Sequence, residues 1–422
     1  MAALSLTRLS HLQPAAAAAL IALSLLIAVG SSAHAQTFTV LYNFTGEADG
    51  GRPGSGITSD KIGSFYGTTQ YGGDLGCDAG GVPGCGVLFK FNKTSKSGGI
   101  LTPLFQFHDG PFPTWPGVPA LGPDDELYGT TLEGGVAENG ALYSARPDNT
   151  AVVPFPQQFT PIYQFTGGDD GGSPVASLVF DNAGNIYGTT AYGGAVNFGV
   201  VYELQHSGNT WNQSTLYTFT GSPHAARPRG IVFDDQGNIY GAAGGGNPGC
   251  DRKSCGTIYQ LTPSPSGFTE TILYTFREGI DGGGPGPLIR DNAGNLYGLT
   301  YSYGPASGGT VWELSPSNGT WTFTLLYAFP NAVVWDYGPF PLTLDPAGNL
   351  FGIINAGGAN NEGMLFELAP GKNGWTFSDL HDFGSEGCTP EGAVVLDSKD
   401  NIYGVTEACG KFGAGTLWEF IP

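Results

Sequence analysis

Residues 181–190 read DNAGNIYGTT, and residues 291–300 read DNAGNLYGLT. A near-identical decapeptide spelled twice in one chain is the mark of an internal repeat, and its aromatic-glycine pair provides an anchor for finding the other copies. Tyr66, Tyr128, Tyr187, Tyr240, Tyr297, Phe351 and Tyr403 each precede a glycine, at intervals of 62, 59, 53, 57, 54 and 52 residues. A period of that size leaves room for about four short strands per unit.

Six residues before the anchor stands Asp60, Asp181, Asp234, Asp291, Asp345 or Asp397; the second copy has Gly122 there instead. Asp and Asn side chains bond to nearby backbone amides and Gly accepts a positive φ, so DNAGN reads as a hairpin turn between two strands. The same residues suggest a calcium loop, but the span is too short for an EF-hand and turn chemistry accounts for every position, so no metal is expected. Two further strands follow in each copy. One carries VLFKF, VVYEL, TVWEL or TLWEF, and the next carries LYNF, LYTF or LYAF. In the latter the two aromatics are two apart and share one sheet face, while Leu or Ile takes the other. A strand apolar on both faces needs a sheet against each of them, which blades packed around an axis supply.

The chain ends on a third strand, TLWEF at 416–420, whereas TFTVLYNF at 37–44 is a fourth strand without its three predecessors. The spacing therefore predicts an all-β, seven-bladed β-propeller over residues 36–422, closed by the N-terminal strand pairing with the last blade. Residues 1–35 read as a signal peptide: an apolar run after Arg8 ends in Ala33-x-Ala35, and secretion is expected. Six cysteines in an exported chain predict disulfides Cys77–Cys85, Cys250–Cys255 and Cys388–Cys409; zinc at CDRKSC is the weaker reading, because no further His or Cys lies close in sequence. A net charge of −20 argues against nucleic acid and anionic membrane surfaces, no later segment is apolar for long enough to span a bilayer, and a monomer without cofactor is expected.

The strings GNLYGLT, TVWEL and LYTF, with Gly-Gly loops between them, resemble the GloVer-type tandem repeat of exported bacterial proteins over nearly the whole chain after residue 35. The resemblance implies an extracellular repeat protein without an established activity, often with a C-terminal surface-sorting segment. This chain departs from that pattern by ending after its last strand, and no catalytic residues carry over.

In such a fold the long loops after LYxF and after YGTT emerge on one face. The first loop set brings Asp49, Asp109, Asp169, Asp170, Asp281, Asp336 and Glu386 there. Aromatics Tyr71, Trp115, Tyr192, Tyr303 and Trp335 join them, with Arg52, Arg227 and Arg229 near the central mouth and Glu391 on an otherwise small-residue inner strand. Asp-Gly pairs make turns and scattered acids maintain solubility, which is the plain reading of the acids. Exposed rings that stack on sugars, carboxylates that accept from hydroxyls, and arginines that fix a ligand carboxylate give the functional one. The face is expected to bind a glycan or an extracellular protein. The alternative is a carbohydrate-active or lactone-active enzyme with paired carboxylates in the central pocket. No nucleophile elbow is present, and His108, His206, His224 and His381 are dispersed.

Overall fold

Seven antiparallel sheets succeed one another in the computed structural model, which describes residues 36–77, 82–108, 114–147, 159–208, 210–245, 256–277, 279–330 and 340–422. The leader, Asp109, Trp335, Asp336 and the Cys250–Cys255 pair lie outside the described residues. Among those described there is no helix, and none long and apolar enough to cross a membrane. The chain is a seven-bladed β-propeller.

Each blade is a meander. In the third, Gly172–Phe180, Ile186–Tyr192, Val200–Ser207 and Thr210–Thr218 lie side by side in that order. Two inner strands are interrupted: Thr114–Pro116 and Ala120–Leu121 both pair with Leu127–Glu133, and Gly283–Pro285 and Ile289–Arg290 both pair with Leu296–Ser302. The last sheet consists of Cys388–Leu396, Ile402–Ala408, Thr416–Ile421 and Thr37–Asn43, with Val40 opposite Trp418 and Tyr42 opposite Leu417.

The repeat motif is intelligible in this geometry. Gly184 (φ 84°) turns the DNAGN hairpin, and Asp181 Oδ1 accepts from the amides of Ala183 and Asn185 at 2.8 and 2.9 Å. Its Oδ2 accepts from Asn185 Nδ2 at 2.8 Å and the Tyr187 hydroxyl at 3.2 Å. Burial alone would raise the Asp181 carboxyl, but these bonds outweigh it and hold the pKa below the usual value. In the second blade, where Gly122 replaces the Asp, Asp124 reaches the equivalent tyrosine: Tyr128 donates to its Oδ2 at 2.7 Å.

The anchor glycine has a different role. Gly67, Gly129, Gly188, Gly241, Gly298, Gly352 and Gly404 each lie opposite the central aromatic of the third strand, Phe89, Tyr143, Tyr202, Tyr259, Trp312, Phe366 or Trp418. That ring occupies the space of the missing side chain, since a Cβ on any of the seven would fall within 2.6 Å of it. Beside it lies the Phe of LYxF. Tyr42–Phe44, Tyr163–Phe165, Tyr217–Phe219, Tyr274–Phe276 and Tyr327–Phe329 are edge-to-face pairs with centroids 5.0 to 5.3 Å apart, as expected of aromatics sharing a face.

The core is divided into seven apolar clusters, each bridging two neighbouring blades. One of them packs Leu41, Phe44 and Leu417 of the last blade on Phe65, Val87 and Phe89 of the first. At roughly 1.5–3 kcal/mol per buried large side chain, stability resides between blades as much as within them. Among the described residues two disulfides pin loops, Cys77–Cys85 and Cys388–Cys409, with Cα atoms 5.7 and 5.3 Å apart.

Candidate functional site

An antiparallel meander places the start of the inner strand and the end of the second strand at one edge of the blade: Pro174 sits opposite Thr190, and Pro228 opposite Ala243. A cavity of about 580 Å³ lies among these strand ends. Every blade contributes to its wall, through Gly54, Gly117, Val175, Arg229, Pro287, Pro341 and Glu391 in chain order, so it lies on the propeller axis.

Of the expected binding residues, Trp115, Tyr192, Arg227, Arg229 and Glu391 line the cavity. Arg52 and Tyr71 stand beside it, bonded to each other. Arg52 donates to the Tyr71 hydroxyl at 2.8 Å and forms an ion pair with Glu407, while the Tyr71 ring meets Trp115 edge to face at 6.2 Å. The remaining described residues are outside the wall. Asp49 and Asp170 each accept from a strand tyrosine, Tyr42 or Tyr163, at 2.9 Å and from their own loop amides, so these carboxylates brace the LYxF loop. Asp281 does the same with Tyr274 at 2.6 Å and adds an ion pair to Arg277. Glu386 pairs with His381 at 3.3 Å, and Asp169 and Tyr303 are exposed.

Local backbone geometry explains why these side chains reach the mouth. The residue before the inner-strand proline adopts a left-handed φ in six blades: Arg52 (59°), Trp115 (56°), Ser173 (51°), Arg227 (58°), Gly284 (61°) and Thr389 (55°). Such a conformation disfavours residues other than Gly, Asn and Asp, and a position preceding proline normally prefers extended geometry. The backbone is held by a bond to the preceding blade: Arg52 N donates to Ala414 O, Ser173 N to Asn139 O, Arg227 N to Phe198 O and Thr389 N to Glu362 O, at 2.8 or 2.9 Å. One repeat position thus presents Arg, Trp, Ser, Arg, Gly or Thr in six of the blades.

A second such position lies four residues after the anchor aromatic, where the copies read Gln70, Leu132, Ala191, Gly244, Tyr301, Asn355 and Glu407. Gln70, Leu132 and Ala191 line the cavity, Tyr301 lies beneath the Arg229 guanidinium, and Asn355 lies near enough to Glu391 to lower its pKa. Sequence reasoning missed Gln70 and Asn355. The available signal was chemical variation at one column of an otherwise uniform repeat.

Electrostatically the cavity is uneven. Glu391 is 4% exposed, and burial pushes its carboxyl up to about 8 against the opposing Asn355 side chain and Arg52 charge, so it is mainly protonated at neutral pH. It is the one carboxylate side chain among the described residues of the wall. The Arg227 guanidinium lies over the Tyr192 ring at 5.4 Å, and Arg229 over Tyr301 at 5.9 Å. The site therefore offers two arginines, partly exposed rings and a neutral carboxyl.

Among solved structures, the extracellular domain of BT4673 from B. thetaiotaomicron is similar at 11% identity and a TM-score of 0.52, over 90% of this chain and 39% of that one. A gluconolactonase from Xanthomonas campestris is similar at 14% identity and a TM-score of 0.43, over 73% and 86% of the two chains. At these identities the likeness concerns the fold alone. No curated protein matches the sequence. The Gloeobacter/Verrucomicrobia repeat matches residues 76–287 and 212–418, and the chain belongs to that family.

Proposed function

We propose that this protein is exported and binds an extracellular glycan, without catalysis, in the axial cavity on its long-loop face. The observation that carries the reading is the convergence of Trp115 and Tyr192 with Arg227 and Arg229 on one cavity of about 580 Å³, a size suited to a small ligand. Tyr192 is 44% exposed, which leaves ring surface for stacking. The signal-like leader and two disulfides support export. The single described carboxyl in the wall favours binding over glycoside hydrolysis, which needs a pair.

The test is retention of the purified protein on a panel of cell-wall and plant glycans. Trp115→Ala and Tyr192→Ala should each weaken the retained interaction by roughly tenfold, the cost of about one lost stacking contact. Equal retention of both variants would argue against the cavity, and turnover of a bound glycan or a lactone would establish the enzymatic alternative.

A further inference from the structure

Arg229 follows Pro228 at the head of the fourth inner strand, where it is largely buried and lines the cavity. Burial, the main influence, and the charge of Arg227 both lower its pKa, opposed by Tyr301. Among the described residues it has neither an ion pair nor a hydrogen bond. Arg52, Arg146 and Arg277 by contrast pair with Glu407, Glu126 and Asp281. Acids are not scarce in a chain with 36 Asp and Glu against 16 Lys and Arg. Arg227, two residues earlier, also lacks a carboxylate partner among the described residues and is stacked on Tyr192. A guanidinium largely withdrawn from water without a counter-ion is costly, and Arg229 together with the exposed Arg227 at the same strand end makes a doubly cationic site suited to an anion.

We infer that the ligand carries a carboxylate seated on Arg229 and Arg227, and that it is a sugar acid whose ring rests against Tyr192 and Trp115. The inference rests on the glycan reading and narrows it. A carboxylate matches the planar fork of a guanidinium. The rest of the wall suits a hydroxylated ring. Glu391 is available as a neutral hydrogen-bonding group, and Gln70 has a buried carbonyl oxygen without a partner among the described residues. The net charge of −20 disfavours polyanions at long range, so a single uronate on a neutral oligosaccharide fits better than a densely charged chain.

The probes are an aldotriouronic acid (one glucuronate on xylobiose), its methyl ester, and xylotriose, titrated calorimetrically at pH 7 into the protein. The acid should bind at least tenfold more tightly than the ester or xylotriose, as expected for a charge-assisted bidentate contact. Arg229→Met should bring the acid to the level of the ester, with Arg229→Lys intermediate, and Arg227→Met provides a second variant at an exposed position. Thermal melts check that each variant is folded. Equal affinity for acid and ester, or an acid preference unchanged in both Met variants, overturns carboxylate recognition while leaving glycan binding in place. If none of the three probes binds, the sugar-acid inference falls, and the wider reading falls with it only if the glycan panel is also silent.

Discussion

Gly188 lies directly opposite Tyr202 across the ladder of the third blade, and a Cβ on Gly188 would sit 2.3 Å from the tyrosine hydroxyl oxygen. The glycine is required by close approach rather than by an unusual φ. Gly188→Ala must therefore push a fully buried ring from its place, at a cost of about 1–3 kcal/mol typical of overpacking. The Tyr202 hydroxyl has no hydrogen-bond partner among the described residues, so Tyr202→Phe should be neutral or stabilising. Urea denaturation of the two variants measures the contrast. Equal effects would mean that the ring is not held against the glycine.

Asp397 organises the hairpin of the last blade as Asp181 does that of the third. It accepts from Lys399 N at 2.8 Å, Asn401 N at 3.1 Å, Asn401 Nδ2 at 2.8 Å and the Tyr403 hydroxyl at 3.1 Å. With its oxygens engaged in this way, Asp397→Ala should cost about 1–3 kcal/mol, and millimolar calcium should leave the melting temperature of the wild type unchanged. A calcium-dependent rise in Tm that disappears in the variant would show that DNAGN binds metal.

The blade count is legible because the repeat keeps most of its punctuation: Asp and Gly in most of the turns, aromatic-Gly in the second strand, Leu or Ile three residues before Phe in the fourth. What those residues do to one another was less legible. Sequence shows Gly188 and Tyr202 in separate strands, and only register reveals that one makes room for the other. The binding face was read partly from residue type, which grouped Asp49, Asp170 and Asp281 with Arg229, although the three aspartates are engaged by tyrosines within their own blades. Exposed acids and turn-bracing acids have the same spelling. Gln70 in the wall and Asn355 near Glu391 are distinguished by their place in the repeat, four residues past the anchor, which composition does not convey.

Glu391 makes stability depend on pH in a direction opposite to that of most carboxylates. Its folded-state pKa is raised from 4.5 to about 8 by burial. Its favourable contribution is therefore complete below about pH 4.5, where both states are protonated. It is lost progressively up to about pH 8, because the unfolded chain releases the proton first. Glu391→Gln removes this dependence. The variant should match wild type near pH 4 and exceed it near pH 8 by an amount on the order of 4 kcal/mol. Unfolding free energies at pH 4, 6 and 8 decide the matter, and parallel pH curves for the two proteins would mean that Glu391 ionises normally.

Phe44 tests whether the leading strand is a structural member of the last blade. Its ring is 0% exposed and meets Phe89 of the first blade edge to face at 5.2 Å, while its amide donates to Gly415 O at 3.1 Å. Phe44→Ala removes a ring from the cluster that joins the last blade to the first, so its cost should be that of a full core truncation, about 3–5 kcal/mol. A terminal strand that merely decorated the surface would fray with little effect on the global transition. Phe276, also 0% exposed, holds the equivalent position in an internal blade and supplies the reference. Losses of similar size for Phe44→Ala and Phe276→Ala in denaturant unfolding are the expected result. A loss below about 1 kcal/mol for Phe44→Ala alone would show that the N-terminal strand contributes little to holding the ring together.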